Sequence, residues 1–488
     1  MTIPMRLAGT VSIILTSLMF VSCSSTNSFT STEKNVSSPM RVEIFKQHLK
    51  YEGADRNPVI FIPGFAGSSL VTTDTHRNLW GSFRGIDAIS SSDEKLRRSA
   101  FPMIYGRRIE DIQDKVEADK VLDTVKIRAL GIPFKVHIYK DLFDVLVRGG
   151  YVPAGKPLPP DKHFYSMFEF PYDWRKDIPS AAADLGEFIK QKRAYLQSEY
   201  ERLYGIKNYD VKFDIIAHSM GGPIARYYLM YGEQDLPDGG ALPKLTWEGS
   251  RYIDKVIMLN ANNGGELVDF SNVQSGKGMM PYSATTLATF PTCYQQLPPT
   301  ESRSFVYSDD PQGEPIDIFD VSLWVKMGWG LAAPDADDSL KIMLPDTKTP
   351  EERKKIAIDH LDKCLKRAKQ FIAATAVQGN PPNNVKMDIF LGYGIPTERR
   401  VYINRSTGNI DKLTYDSGDG VVLATSALYI RNNEKHWSFF LDSPIHWDRV
   451  TILRNAHMGI VNKDPAFADN VLFMLLAKQK SNASPAQR

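Results

Sequence analysis

Residues 213–231, FDIIAHSMGGPIARYYLMY, join an apolar run to a helical pattern through a tight turn centred on Ser219. Phe213, Ile215 and Ile216 read as the end of a buried strand. Pro223, Ile224, Ala225, Tyr227, Tyr228 and Leu229 continue as a helix, with Gly232 as its stop. Between them, Ala217-His218-Ser219-Met220-Gly221 fits the pattern small-x-Ser-x-Gly, with Ala in the first small position. A chain that leaves a strand and enters a helix this sharply has no room for larger side chains two residues before and after the serine. Such a turn lifts the hydroxyl above the sheet, over a helix N-terminus that favours developing negative charge. His218 neighbours Ser219, but adjacent strand residues point to opposite faces, which argues against it as the base for that hydroxyl.

Upstream, Pro58 to Leu70 (PVIFIPGFAGSSL) predicts a buried strand ended abruptly by Pro63-Gly64. A glycine-flanked turn there exposes backbone N–H groups beside the elbow. The N–H of Phe65 and that of Met220 are the candidate oxyanion donors. His163 to Arg175 (HFYSMFEFPYDWR) reads as a second strand, and Asp173 with Arg175 as a buried pair bracing the top of the sheet. Ser180 to Tyr204 keeps a helical stripe and stops at Gly205; Lys255 to Asn260 is the strand after the elbow helix. Strand and helix alternate, which predicts an α/β fold with a mostly parallel central sheet flanked by helices.

Two stretches break this rhythm. Thr72 to Pro160 is an insertion (a lid region) that carries Trp80, a candidate lid or pocket residue, and a helical run from Ile138 to Gly150. Ser271 to Val385 reads as a cap. Its apolar cluster of Phe319, Leu323, Trp324, Met327, Trp329 and Leu331 fits either a lipid-facing channel or the cap's own core, and Thr349 to Ala376 predicts a helix. The sheet resumes at Met387 to Gly394. Trp437 to Leu441 is a further strand candidate, and Asp464-Pro465 opens a last helix to about Lys478.

A serine hydroxyl needs a base within hydrogen-bond reach and an acid to orient that base. Three histidines follow the resumed sheet: His436, His446 and His457. His457, in a loop ahead of the last helix, is the favoured base, with His446 its rival. Asp419, between two glycines after the resumed strand, is the favoured acid; Asp416 and Asp448 are the rivals.

The chain has 488 residues, 42% hydrophobic and 24% charged, an ordinary globular balance. With 59 Lys and Arg against 57 Asp and Glu, the net charge of +2 excludes the basic footprint of a nucleic-acid partner. Leu7 to Val21 has the length of a signal-peptide core and ends in Phe20-Val21-Ser22-Cys23. That end resembles the lipobox of bacterial lipoproteins. The resemblance implies a signal over residues 1–22, a lipid on Cys23, a Ser/Thr/Asn-rich tether over 23–40, and an exported enzyme on a cell-envelope membrane. The folded body is expected over 41–480 and a polar tail over 481–488. Export leaves Cys293 and Cys364 either bridged or as two buried thiols. No Cys or His cluster suggests a zinc site, and no cofactor is implied.

PVIFIPGFAGSSL, PYDWR, AHSMGG, GDGVV and a late His457 occur in the order seen in the lecithin:cholesterol acyltransferase-like family of α/β-hydrolases, which the chain resembles from about Pro58 to about His457. The family includes phospholipase A-type enzymes and acyltransferases. The resemblance implies Ser219 as nucleophile, Asp419 as acid, His457 as base and Phe65 and Met220 as oxyanion donors. It also implies a phospholipid or related lipid ester as substrate. Trp80 is similar to a lid or pocket tryptophan of the family. Family members often close an early lid with a disulfide; here no cysteine lies between Cys23 and Cys293. The alternatives are a carboxylesterase or neutral-lipid lipase, and a non-catalytic lipid-binding envelope lipoprotein.

Overall fold

The computed structural model describes residues 46–81, 93–129, 132–276, 282–382, 385–431, 442–461 and 465–476. Its centre is a sheet of six parallel strands in the order Arg449–Leu453, Lys386–Gly392, Ile253–Leu259, Phe213–His218, Val59–Ile62 and Met167–Glu169. The inner strands carry near-continuous apolar runs because both faces are covered. Alternation sorts the side chains into two layers. Ile60, Ile62, Ile215, Ala217, Val256 and Met258 join one core; Val59, Phe61, Ile216, Ile257, Leu259 and Phe390 join the other. The first core receives helix Ile178–Tyr204 and the elbow helix Gly221–Tyr231. The second receives Lys140–Arg148, through Leu142, Phe143, Val145 and Leu146, and Pro465–Leu476, through Phe467, Val471 and Leu472. This is the α/β-hydrolase fold.

The chain runs from Val59–Ile62 outward to Met167–Glu169 and then back past it to Phe213–His218. The strand order therefore reverses between Val59–Ile62 and Phe213–His218, and open parallel sheets bind ligands at the carboxyl ends of such a pair. Ile62 lies opposite Ala217 in the register, so Pro63-Gly64 and His218-Ser219 leave the sheet side by side.

Several elements differ from the sequence-based expectation. The aromatic strand is only Met167–Glu169. Its ladder ends where the Phe170 N–H bonds the Phe61 carbonyl, because the next N–H on that side, that of Tyr172, donates to the Ser68 hydroxyl instead. The insertion expected over 72–160 builds a small antiparallel sheet from Ser68–Thr72, Asn78–Trp80 and Val116–Val121, and a hairpin of Thr124–Ala129 with Ile132–His137. By Tyr139 the chain has returned to the body, since Lys140–Arg148 covers the sheet's second face. The predicted Asp173–Arg175 pair forms. The Arg175 guanidinium is bidentate to Asp173 at 2.9 and 2.7 Å, also reaches Asp114, and takes the carbonyls of Arg98, Ser99 and Ala100.

The cap is a helical layer ending in Pro350–Thr375, whose N-terminus is held by the Thr349 hydroxyl accepting the Glu352 N–H. Its apolar cluster is a core, not a lipid-facing channel. Trp324 and Trp329 are 0% and 2% exposed, pack edge-on against each other, and both meet Phe270. The cap is also stitched to a later hairpin: its strand Phe305–Tyr307 pairs with Ile395–Ile403, which pairs with Ile410–Gly418. Cys293 and Cys364 are unbridged and buried.

Arg367 on the long cap helix clamps the cap to the body. Its Nε donates to Asp177 at 2.5 Å, and the same guanidinium meets Asp235 and Glu110. The Arg367 and Asp177 side chains are 8% and 2% exposed. Arg367→Met strands the buried Asp177 carboxylate. The expected loss is about 3–5 kcal/mol, measured as a lowered denaturant midpoint; a midpoint equal to wild type would show that the clamp is not holding the cap.

The signal-like segment, Cys23, the tether, the strand candidate Trp437 to Leu441, Asp464 and the tail lie outside the described residues, as does His436. Among the described residues no helix is long and apolar enough to cross a membrane.

Candidate active site

Ser219 occupies the left-handed region, φ 52°, at the turn between Phe213–His218 and Gly221–Tyr231. Its neighbours are small for a visible reason. A Cβ on Gly221 would stand 2.6 Å from the Ile62 carbonyl oxygen and 2.9 Å from that of Pro63, and Ala217 is fully buried. The same closeness joins the elbow to the upstream turn, since a Cβ on Gly64 would stand 2.8 Å from the Ser219 Cβ.

Three strand ends bring the remaining groups together. Ser219 Oγ lies 3.0 Å from His457 Nε2, and His457 Nδ1 lies 2.8 Å from Asp419 Oδ2. Asp419 follows the hairpin strand Ile410–Gly418 and bridges back to Ile395. Its Oδ1 accepts the N–H groups of Val421 at 2.8 Å and Val422 at 2.7 Å, so its own loop fixes the carboxylate. The His457 N–H donates to the Asp419 carbonyl at 3.0 Å, which sets the imidazole's backbone in register with the acid. Asp419 is 2% exposed and Ser219 6% exposed, so the two ends of this line are nearly dry, while the His457 side chain between them is 13% exposed. In low dielectric, charge-assisted hydrogen bonds of this kind strengthen.

The rivals lie elsewhere. His446 is exposed and lines a small cleft with Arg226 and Met387. Asp448 accepts from Lys386 Nζ and the Met387 N–H, both at 2.9 Å, and Asp416 faces Arg399 at 3.5 Å. His218 points away from Ser219 to Tyr139, as strand alternation requires.

Phe65 and Met220 flank Ser219 on the two turns, and among the described residues no acceptor takes either N–H. Trp80 is half-buried and leans on the upstream turn. Its Nε1 donates to the Ala66 carbonyl at 2.7 Å, and its ring meets Trp174 and Tyr282. Trp174 in turn meets Phe65 and Phe290, so an aromatic wall continues from the turn beside Ser219. One cleft, ≈ 1120 Å³, is walled by polar groups including Arg77, Arg98, Lys120 and Glu169. A second, ≈ 450 Å³, lies beside the acid loop between Leu267, Ile372, Val421 and Leu423. Ser219 is on neither wall.

Asn260 escaped sequence reasoning. It stands at φ 45° at the end of Ile253–Leu259, where its Nδ2 donates to the His457 carbonyl at 3.0 Å and its Oδ1 accepts the Gly392 N–H at 2.7 Å. The only signal was its place at the carboxyl edge of the sheet.

Residues 113–299 match the lecithin:cholesterol acyltransferase family model. That segment holds PYDWR and the elbow with Ser219 and Met220, while Phe65, Trp80, Asp419 and His457 lie outside it. Among solved structures, the chain is similar to one in the Tle4–Tli4 complex, at 12% identity over 86% of this chain and 98% of that one, with TM-score 0.50. It is also similar to Staphylococcus hyicus lipase, at 13% identity over 88% of this chain and 94% of that one, with TM-score 0.31. A third similarity is to mature Bacillus licheniformis lipase BlEst2, at 10% identity over 87% and 94%, with TM-score 0.30. At such identities the Tle4–Tli4 likeness speaks to the fold. No curated protein matches the chain. The family match points to a coarse class: an enzyme of lipid esters, hydrolase or acyltransferase.

Proposed function

We propose that the protein is a serine acyl-ester hydrolase or O-acyltransferase acting on glycerophospholipid or a related lipid ester. The observation that carries this reading is the unbroken hydrogen-bonded line from Asp419 through His457 to Ser219. Ser219 Oγ attacks the ester carbonyl while His457 Nε2 takes its proton. Asp419 holds the imidazole with Nδ1–H toward itself and stabilises the imidazolium that forms. The N–H groups of Phe65 and Met220, on the two turns beside Ser219, are the donors for the tetrahedral oxyanion. His457 then protonates the leaving alcohol, and an acyl-enzyme remains on Ser219. Water or a second alcohol, activated by the same imidazole, releases the acyl group. Lipid specificity is supported by the family match and by the aromatic wall of Phe65, Trp80, Trp174, Tyr282 and Phe290.

The test compares phosphatidylcholine, triglyceride and a short p-nitrophenyl ester, each with and without an added sterol or long-chain alcohol. Preference for phosphatidylcholine supports the proposal, and an acylated alcohol among the products assigns transfer. Turnover of the short ester alone would make the protein a carboxylesterase. No turnover of any ester and no fluorophosphonate label on Ser219 would leave a lipid-binding protein. We further propose that the enzyme is exported and anchored through a lipid on Cys23. Cys23→Ala is expected to abolish incorporation of labelled palmitate and release the enzyme from membranes; retained label would refute the anchor.

A further inference from the structure

Tyr139 and His218 form a buried polar pair that the proposed reaction does not use. Tyr139 is 2% exposed, at the start of helix Lys140–Arg148, with its ring edge-on to Phe61 and close to Phe143. Its hydroxyl oxygen lies 3.0 Å from the Gly64 nitrogen and 3.0 Å from His218 Nδ1. His218 is 1% exposed, and its Nε2 lies 3.3 Å from the His457 carbonyl oxygen.

The proton positions follow from the two ends. A backbone N–H only donates and a backbone carbonyl only accepts. Gly64 therefore donates to the Tyr139 oxygen, and His218 Nε2 must carry a hydrogen to bond the His457 carbonyl. His218 Nδ1 is then free to accept the Tyr139 hydroxyl proton. One chain results, with every donor pointing the same way: Gly64 N–H to Tyr139, Tyr139 O–H to His218, His218 Nε2–H to the His457 carbonyl. It requires a neutral His218, since an imidazolium has no lone pair for Tyr139. Burial, and then the neighbouring His457, push the His218 pKa well below its ordinary value, which keeps it neutral.

The chain begins on the turn that carries Phe65 and ends on the backbone of His457. It passes behind Ser219, whose Cβ is the atom nearest to a Cβ built on Gly64, with His218 Nδ1 next at 3.1 Å. We propose that Tyr139 and His218 are positioning residues, fixing the Gly64–Phe65 turn and the His457 carbonyl at set distances on either side of Ser219. A purely apolar filler in the same volume would pack as well without joining the two loops. Asn260 holds the same His457 carbonyl from the neighbouring strand, so His457 is fixed from two directions. This inference rests on the Ser219–His457–Asp419 reading.

Three variants test it, read by the rate of fluorophosphonate labelling and by kcat and KM on a p-nitrophenyl ester. Tyr139→Phe cuts the chain at the Gly64 end. His218→Asn keeps an acceptor near Nδ1 but loses the bond to His457. His218→Gln keeps a donor near Nε2 and so retains that bond, but gives up the acceptor for the Tyr139 hydroxyl. The expected result is a fall of about 10-fold in kcat and labelling rate for Tyr139→Phe and His218→Asn. KM should stay within about 2-fold of wild type, and His218→Gln, which keeps the His457 link but loses the Tyr139 one, should fall less than His218→Asn, by about 3–5-fold in kcat. A merely structural pair would lower thermal stability in all three without separating kcat from KM, and would not favour Gln over Asn. Wild-type labelling with unchanged rates in Tyr139→Phe and His218→Asn would overturn the inference alone. Failure of the wild-type protein to label would overturn the catalytic reading beneath it.

Discussion

Ser219→Ala is expected to lower ester turnover by at least about 10⁴-fold and to abolish fluorophosphonate labelling, with the fold unchanged. The hydroxyl is the only group of this side chain beyond Cβ, and its removal leaves His457 Nε2 without the atom that stands 3.0 Å away. What remains is whatever the Phe65 and Met220 N–H groups contribute to a water attack. The size of the effect follows from that, since removal of one member of such a unit costs nearly as much as removal of all. Ser219→Gly sharpens the test. At φ 52° a residue with a Cβ pays a steric penalty that glycine avoids. Glycine recovers that strain but loses more chain entropy on folding, for a net gain of about 0.5–1 kcal/mol. The variant should thus be inactive and slightly more stable, which separates loss of the nucleophile from loss of the fold. More than a tenth of wild-type turnover in purified Ser219→Ala would remove Ser219 from the mechanism.

The elbow was legible because everything that defines it is local: an apolar run, small residues at fixed offsets, a helical stripe and a stop. The parallel sheet followed from the same alternation, and the ends of helix Ile178–Tyr204 fell within two residues of the expectation. The partners of Ser219 were legible only as sets. His457 is 238 positions away, and only its place in a loop just ahead of the last helix favoured it over His446. What separates them is sheet order: Arg449–Leu453 pairs with Lys386–Gly392, so the loop after it opens beside Asp419, whereas His446 precedes that strand and sits at its other end. The cap cluster was undecidable for a related reason. Trp324 and Trp329 read alike whether they face lipid or each other, and only the packing against Phe270 chooses. Strand parity turned His218 away from Ser219, where it meets Tyr139, but was silent on its use. Tyr139 carried no signal, because its contact with Gly64 spans 75 positions and arises from a helix docking beneath the sheet.

Asp419→Asn is expected to cost about 10⁴-fold in kcat while leaving KM and thermal stability close to wild type. Asp419 Oδ1 accepts two N–H groups, from Val421 and Val422, and Oδ2 accepts from His457 Nδ1. Asparagine can keep only one of these arrangements. With its oxygen toward the two loop N–H groups, it satisfies both donors and turns its amide NH₂ to His457. Nδ1 must then accept, and the ring proton moves to Nε2, where it faces Ser219 Oγ. The imidazole has the right position and the wrong tautomer, and it no longer takes the serine proton. The flipped amide sets an NH₂ against two backbone donors, which strands them in a nearly dry loop at about 1–3 kcal/mol each. The first arrangement wins by that margin, so the loop stays folded and the loss appears in kcat. Asp416→Asn and Asp448→Asn serve as controls, since neither residue bonds His457. Both should stay within about 2-fold of wild type, because each is a partly exposed ion-pair partner. A kcat for Asp419→Asn within 10-fold of wild type, or a comparable loss in either control, would show that the acid had been assigned to the wrong residue.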